Sequence, residues 1–155
     1  LVALATAVHL ARRGRTRAAW GMAAFPVAVA LETLYKRLVH HPGPGGAITH
    51  ADAPSLTSLF AHTSLLQNSF PSGHVTRAVV VYGLLAFAVW AGARSVRARG
   101  LAAAAAAVVV AAIAFDRLYL EVHWESDVVG GLLLGGICLV GAIIWVELPR
   151  LAGRP

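Results

Sequence analysis

Charge is scarce in this chain. Asp, Glu, Lys and Arg make up 13% of its 155 residues, against about 25% in ordinary globular domains. So few charges cannot wet the surface of a soluble domain, and they exclude a disordered tail and a coiled coil. Cysteine is nearly absent. Cys138 is the single one, which excludes a disulfide-stapled secreted domain and any CxxC zinc pattern. It lies inside an apolar run and reads as a buried, inert thiol. Acidic residues are few: seven against thirteen Lys and Arg, for a net charge of +6. In a soluble chain that excess would point to nucleic acid. Here the basic residues sit in short clusters between apolar runs, so membrane topology explains them and no nucleic-acid partner is expected. What the chain has in abundance is apolar surface, at 58% hydrophobic residues and a mean hydropathy of +0.71. Its main solvent is lipid.

A helix that crosses a bilayer needs about 20 mostly apolar residues. Five stretches qualify or come close: Leu1–Ala11, Ala18–Leu34, His74–Ala93, Leu101–Leu120 and Val128–Leu148. The first is short and reads as truncated, since the sequence opens on Leu1 and an N-terminal piece is expected to precede it. The expected architecture is therefore all-α, a polytopic transmembrane helix bundle forming one membrane-embedded domain over residues 1–155. The stretch between His40 and Pro71 holds no spanning segment. It opens on Pro42, Gly43, Pro44, Gly45 and Gly46, a turn-rich start. Ser55–Leu66 then predicts a short amphipathic helix. Gly131 and Gly135 form a small-xxx-small pair suited to close helix packing.

Orientation follows from the loops. Arg12, Arg13, Arg15 and Arg17, then Arg94, Arg97 and Arg99, then Arg150 and Arg154 all fall on one side if the helices alternate in direction. That side is expected to be cytoplasmic, and Trp20, Trp90 and Trp145 lie near the same boundary. The opposite, extracytoplasmic face collects Glu32, Asp52, Asp116, Glu121, Glu125 and Asp127, with His40, His41, His50, His62, His74 and His123. Ionisable residues at the membrane are expensive and tend to be functional.

Three stretches at this face carry chemistry. Lys36 stands at the outer end of the second segment. Pro71-Ser72-Gly73-His74 opens the third. Arg117 lies near the end of the fourth, and His123 and Asp127 lie between the fourth and the fifth. If the last stretch is helical, His123 and Asp127 share a face, and the carboxylate fixes one imidazole nitrogen while the other acts as nucleophile or base. Arg117 presents a planar fork suited to phosphoryl oxygens. A helix beginning at Gly73 offers an anion site at its N-terminus. Each stretch also has a plainer reading: a salt-bridged helix end, a Ser72 N-cap, and an interfacial Lys36 anchor beside Arg37. Arg77 reads as another phosphate contact or a snorkelling side chain.

Together the three stretches resemble the type-2 phosphatidic acid phosphatase (lipid phosphate phosphatase) superfamily. Its pattern runs Lys, six residues, Arg-Pro; then Pro-Ser-Gly-His; then Ser-Arg, five residues, His, three residues, Asp. Pro71–His74 completes the second part. Arg117, His123 and Asp127 complete the third, with Asp116 in place of Ser. In the first, Lys36 and Pro44 match, and Gly43 occupies the Arg position. The resemblance implies hydrolysis of a lipid phosphomonoester or pyrophosphate, without a metal or other cofactor, at the extracytoplasmic side of the inner (plasma) membrane. It implies His123 as the nucleophile that becomes a phosphohistidine and Asp127 as its orienting carboxylate. His74 would be the acid for the leaving oxygen and then the base for water. Lys36, Ser72, the Gly73 amide and Arg117 would hold the phosphoryl oxygens. The expected partners are a phosphorylated lipid and the membrane. Two alternatives stand beside it: a phosphorylated-lipid-binding protein with a degenerate site, for which Gly43 argues, and a metal-dependent hydrolase using His40, His41, His50 and His62.

Overall fold

The structure is a computed structural model that describes residues 21–44 and 68–152, together with Val8, Arg12 and Ala19. Its described residues form four helices: α1 (Ala24–Leu38), α2 (Gly73–Gly92), α3 (Val96–Tyr119) and α4 (Glu125–Ala152). No strand is present among them, and the one β-bridge pairs Pro42 with Asn68. The segment Leu1–Ala11 and the amphipathic stretch Ser55–Leu66 lie outside the described residues.

Among the described residues, three helices are long and apolar enough to cross a membrane: Gly73–Gly92, Val96–Tyr119 and Glu125–Leu148. The chain is a multi-pass membrane protein. The expected span over Ala18–Leu34 is described as the 15-residue α1, shifted towards the C-terminus. Pro26 is tolerated there because it falls in the first turn. The helix runs on past Leu34 through the polar Lys36 and Arg37, then stops at Val39, which is extended. Pro42 follows and disfavours helical backbone at His41.

α2 is the centre of the bundle and packs against all three other helices. Val75, Val80, Val81 and Leu84 are buried along it. α3 has no buried residue, so most of its apolar circumference is left for lipid. α4 approaches α2 closely along its glycines. A Cβ on Gly131 would lie 2.7 Å from the Ser72 carbonyl oxygen, and one on Gly135 would lie 2.7 Å from Val79 Cβ and 2.8 Å from the Thr76 carbonyl oxygen. The small-xxx-small pair thus faces α2. Thr76 joins the two backbones: its hydroxyl donates towards the Ser72 and Gly131 carbonyls at 3.0 and 3.3 Å, a polar clasp of the kind that holds membrane helices together. Met22, Ala28, Leu134, Cys138 and Ala142 extend the core towards the other end, and the Cys138 thiol is free and buried.

This packing sets the position of the site. The C-termini of α1 and α3 and the N-termini of α2 and α4 lie at the same end of the bundle. Arg94, in the α2–α3 connection, and Arg97 and Arg99, in the first turn of α3, lie at the other.

Candidate active site

Asp127 is the fixed point of the site. It sits in the first turn of α4 and is fully buried. Its Oδ2 accepts the Trp124 backbone N–H at 2.8 Å and lies 3.3 Å from His123 Nδ1. A carboxylate in the first helical turn is also favoured by the helix dipole. The condition that the Arg117–Asp127 stretch be helical is not met. The chain leaves α3 at Tyr119, turns through Glu121 with φ of 52°, and enters α4 only at Glu125. His123 therefore stands in the turn and reaches back to Asp127, and Arg117 comes from the end of a different helix. The pair forms all the same, because an Asp in the first turn of a helix can bond to groups just ahead of it.

Burial disfavours the charged imidazole and is the largest influence on His123. The hydrogen bond and charge of Asp127 act the other way, and the positive charges of Lys36 and Arg117 add to the lowering. The net result holds His123 below its ordinary 6.5, so the ring is neutral at pH 7. With Nδ1 facing Asp127, Nε2 is the nitrogen left for chemistry.

Pro71–His74 abuts this pair. The Ser72 backbone N–H donates to the Asp127 carbonyl at 2.9 Å, which ties the start of α2 to the start of α4. Ser72 is the N-cap residue of α2, but its hydroxyl makes no capping bond. That Oγ is buried and without a partner, so the plain N-cap reading fails. A buried unpartnered hydroxyl is costly unless something else binds it. His74, in the first turn of α2, is exposed and lies within electrostatic reach of Arg117, Arg77, His123 and Glu32.

The cations are each held by a carboxylate. Lys36 Nζ lies 3.0 Å from Glu32 Oε1, one turn earlier on α1. The same buried carboxylate takes the Arg77 guanidinium from α2, at 3.3 Å to Oε1 and 3.2 Å to Oε2. Arg77 Nε also donates to the Gly73 carbonyl at 2.8 Å. A Cβ on Gly73 would overlap both the Glu32 carboxylate and the Arg77 guanidinium, so this position needs glycine for room. Arg117 is paired with its neighbour Asp116, its Nε donating at 2.9 Å.

Glu32 is a residue that sequence reasoning missed. The i,i+4 spacing to Lys36 was a visible signal, but the Arg77 partner depends on how α1 packs against α2. His41 was counted among the ligands of the metal-dependent alternative, and its ring is placed against the carboxylate: Nε2 lies 3.2 Å from Asp127 Oδ1. Gly43 lies at the edge of the site, beside Val122 and Ser69. His50 and His62 lie outside the described residues, and among the described residues no group of three or more His, Cys, Asp or Glu is arranged to hold a metal ion.

The seven residues expected to act, Lys36, Ser72, Gly73, His74, Arg117, His123 and Asp127, thus come from four helix ends to one end of the bundle. The arrangement offers an imidazole with a carboxylate on its Nδ1, a second imidazole, an unsatisfied hydroxyl, a helix N-terminus and two or three cations. That set can stabilise a transferring phosphoryl group.

Comparison with known proteins agrees. The chain is 42% identical over 79 residues to YbjG of Escherichia coli, a protein named for undecaprenyl-diphosphatase activity, covering 50% of this chain and 35% of that one. It is 35% identical over 146 residues to a decaprenylphosphoryl-5-phosphoribose phosphatase of Mycobacterium tuberculosis, covering 93% of this chain and 68% of the relative. The chain thus spans about a third of the first relative's length and about two thirds of the second's. No solved structure matches it. Residues 17–150 match the PAP2 superfamily, which takes in every site residue named above, and the chain belongs to that family.

Proposed function

We propose that this protein is a phosphoric ester hydrolase of the membrane, removing a phosphoryl group from a polyprenyl-type lipid phosphate by way of a phosphohistidine. The observation that carries the reading is the His123–Asp127 pair, which leaves Nε2 unengaged by the carboxylate, at the bundle end that also holds the buried, unpartnered Ser72 hydroxyl. The names of the two relatives, both of which concern polyprenyl phosphates, support the substrate class.

In the first step, His123 Nε2 forms a bond to phosphorus as the bond to the leaving oxygen breaks, and His74 supplies the proton that this oxygen takes. Asp127 stabilises the positive charge that develops on the His123 ring. In the second step a water attacks the phosphoryl group, His74 accepts its proton, and the P–N bond breaks to restore neutral His123. Lys36, Arg117, the Ser72 hydroxyl and the N-terminal amides of α2 hold the phosphoryl oxygens, whose charge grows in the transition state. Each of these roles is filled by a side chain or backbone amide of this protein, which supports a metal-independent reaction. The lipid tail stays in the bilayer while the head group reaches the helix ends. Arg94, Arg97 and Arg99 lie at the far end of the bundle, which supports a site at the extracytoplasmic face by the positive-inside rule.

A second reading, a phosphorylated-lipid binder without turnover, is favoured by Gly43 and by the carboxylate already paired with each cation. One experiment separates them. Phosphate release is measured from the purified full chain with polyprenyl phosphate, polyprenyl diphosphate and phosphatidic acid, with and without EDTA. Turnover that resists EDTA and falls by about 10³ or more in His123→Ala supports the enzyme. Tight lipid binding with no phosphate released, or turnover unchanged in His123→Ala, overturns it.

A further inference from the structure

Asp127 has two carboxylate oxygens and one assigned task. Oδ2 serves His123 and the Trp124 amide. Oδ1 is buried and has no hydrogen bond of good geometry. Its polar neighbour is the His41 ring, with Nε2 3.2 Å away. A buried carboxylate oxygen without a donor is strongly disfavoured, so the His41 tautomer that carries hydrogen on Nε2 is the one that suits this place.

His41 is also firmly placed. Its backbone N–H donates to Asn68 Oδ1 at 3.1 Å, and its carbonyl accepts from the Ser69 N–H at 2.8 Å and the Ser69 hydroxyl at 3.0 Å. Asn68 in turn donates to the Lys36 carbonyl at 2.7 Å. The Trp124 indole N–H donates to the Pro42 carbonyl at 2.9 Å. The ring meets Phe70 edge-on at 6.0 Å and has the Ser126 hydroxyl 3.4 Å from Nε2. The segment is therefore strapped to the residues that lead into Pro71–His74 and to the turn that carries His123.

We infer that His41 is a positioning residue that clasps the second oxygen of Asp127 and thereby sets the basicity of His123. The inference rests on the reading of His123 as the nucleophile. With His41 on Oδ1, the carboxylate charge is shared between two imidazoles. Without it, the whole charge falls on His123 and favours its protonated form. The other groups that face His123 are Lys36 from α1, His74 from α2 and Arg117 from α3, and none of them occupies Oδ1. His41 thus stands in the segment that lacks the family's arginine, and it acts on the nucleophile's partner and not on the phosphoryl group.

The test uses two variants of the full chain in detergent micelles. His41→Phe keeps the ring and removes the donor, and His41→Gln keeps an N–H near the Nε2 position. The His123 ring is titrated by NMR with labelled histidine, alongside pH profiles of turnover. The midpoint of His123 is expected to rise by about 0.5 pH unit or more in His41→Phe and to stay near that of the unaltered protein in His41→Gln. The acid limb of kcat/KM should move with it, and kcat should fall about tenfold with KM nearly unchanged. An unmoved midpoint in His41→Phe overturns the inference. A moved midpoint in a protein that releases no phosphate leaves the His41 inference standing and overturns the enzymatic reading instead.

Discussion

Restoring the missing guanidinium is the most informative single change. Gly43 occupies the position at which the family pattern has arginine. An ideal Cβ there would lie 3.5 Å from the Val122 carbonyl oxygen and 3.6 Å from Ser69 Cβ, ordinary contact distances. Its flanks are already pinned, by Trp124 to Pro42 and by Ser69 to His41. A side chain can therefore leave this position without moving the backbone. A well-placed donor to a transition-state oxyanion contributes about 3 kcal/mol. Ordering a flexible arginine costs up to about 2 kcal/mol. The difference, about 1 kcal/mol, is roughly a fivefold rise in kcat/KM for Gly43→Arg. Gly43→Met controls for volume without charge. The assay is phosphate release from a polyprenyl phosphate by purified protein, with thermal unfolding to check that both variants fold. If arginine does no better than methionine in a folded protein, Gly43 does not border the phosphoryl group and the reasoning fails.

Other expectations follow from the packing and the charges. Glu32→Gln leaves the facing cations Lys36 and Arg77 without their buried carboxylate. With Lys36 and Arg77 partly solvated, the loss should be about 2 kcal/mol in stability, read as a lowered midpoint in thermal unfolding, together with a raised KM as Lys36 loses its anchor. Gly131→Ala drives a Cβ to within 2.7 Å of the Ser72 carbonyl oxygen. It should cost about 1–3 kcal/mol and lower turnover by shifting Ser72 away from Asp127, an effect that Gly136→Ala, in open space, should not produce. The pH dependence has a definite sign. His123 is held below 6.5 in the folded protein, so activity that needs the neutral ring is present above 6.5 and is lost as pH falls through the lower folded value. The same group contributes stability above 6.5 that is lost over that window, because the unfolded chain binds the proton first. A kcat/KM profile whose acid limb lies at or above 6.5 would contradict this.

Much of this was legible in the sequence because lipid leaves few choices. Long apolar runs must become helices, and the spacing of their breaks puts Lys36, Ser72, His74, Arg117, His123 and Asp127 at one end whatever the packing details. Close packing of α4 was legible from Gly131 and Gly135, though not that its partner is α2. What escaped was set by contacts between segments far apart in the chain. Arg77 is a partner of Glu32 only because α1 lies beside α2. His41 meets Asp127 only because Asn68 and Ser69 strap its backbone. The break between the fourth and fifth segments was legible, but the i,i+4 spacing of His123 and Asp127 does not say whether the histidine sits in a helix or in the turn just before one, since the same contact forms either way. Ser72 resembled a capping serine by type and position, and its uncommitted hydroxyl emerges only from the packing of α2 on α4.

The central claim is that the His123 ring forms a covalent bond to phosphorus. Rapid quenching of the protein with a lipid substrate labelled in its phosphoryl group, followed by peptide mapping, addresses it directly. The account predicts an acid-labile, base-stable phosphoryl adduct on the peptide containing His123, one that accumulates when His74→Ala slows its hydrolysis and is absent in His123→Asn. Steady turnover with no labelled peptide, or with the label on any other residue, would contradict it.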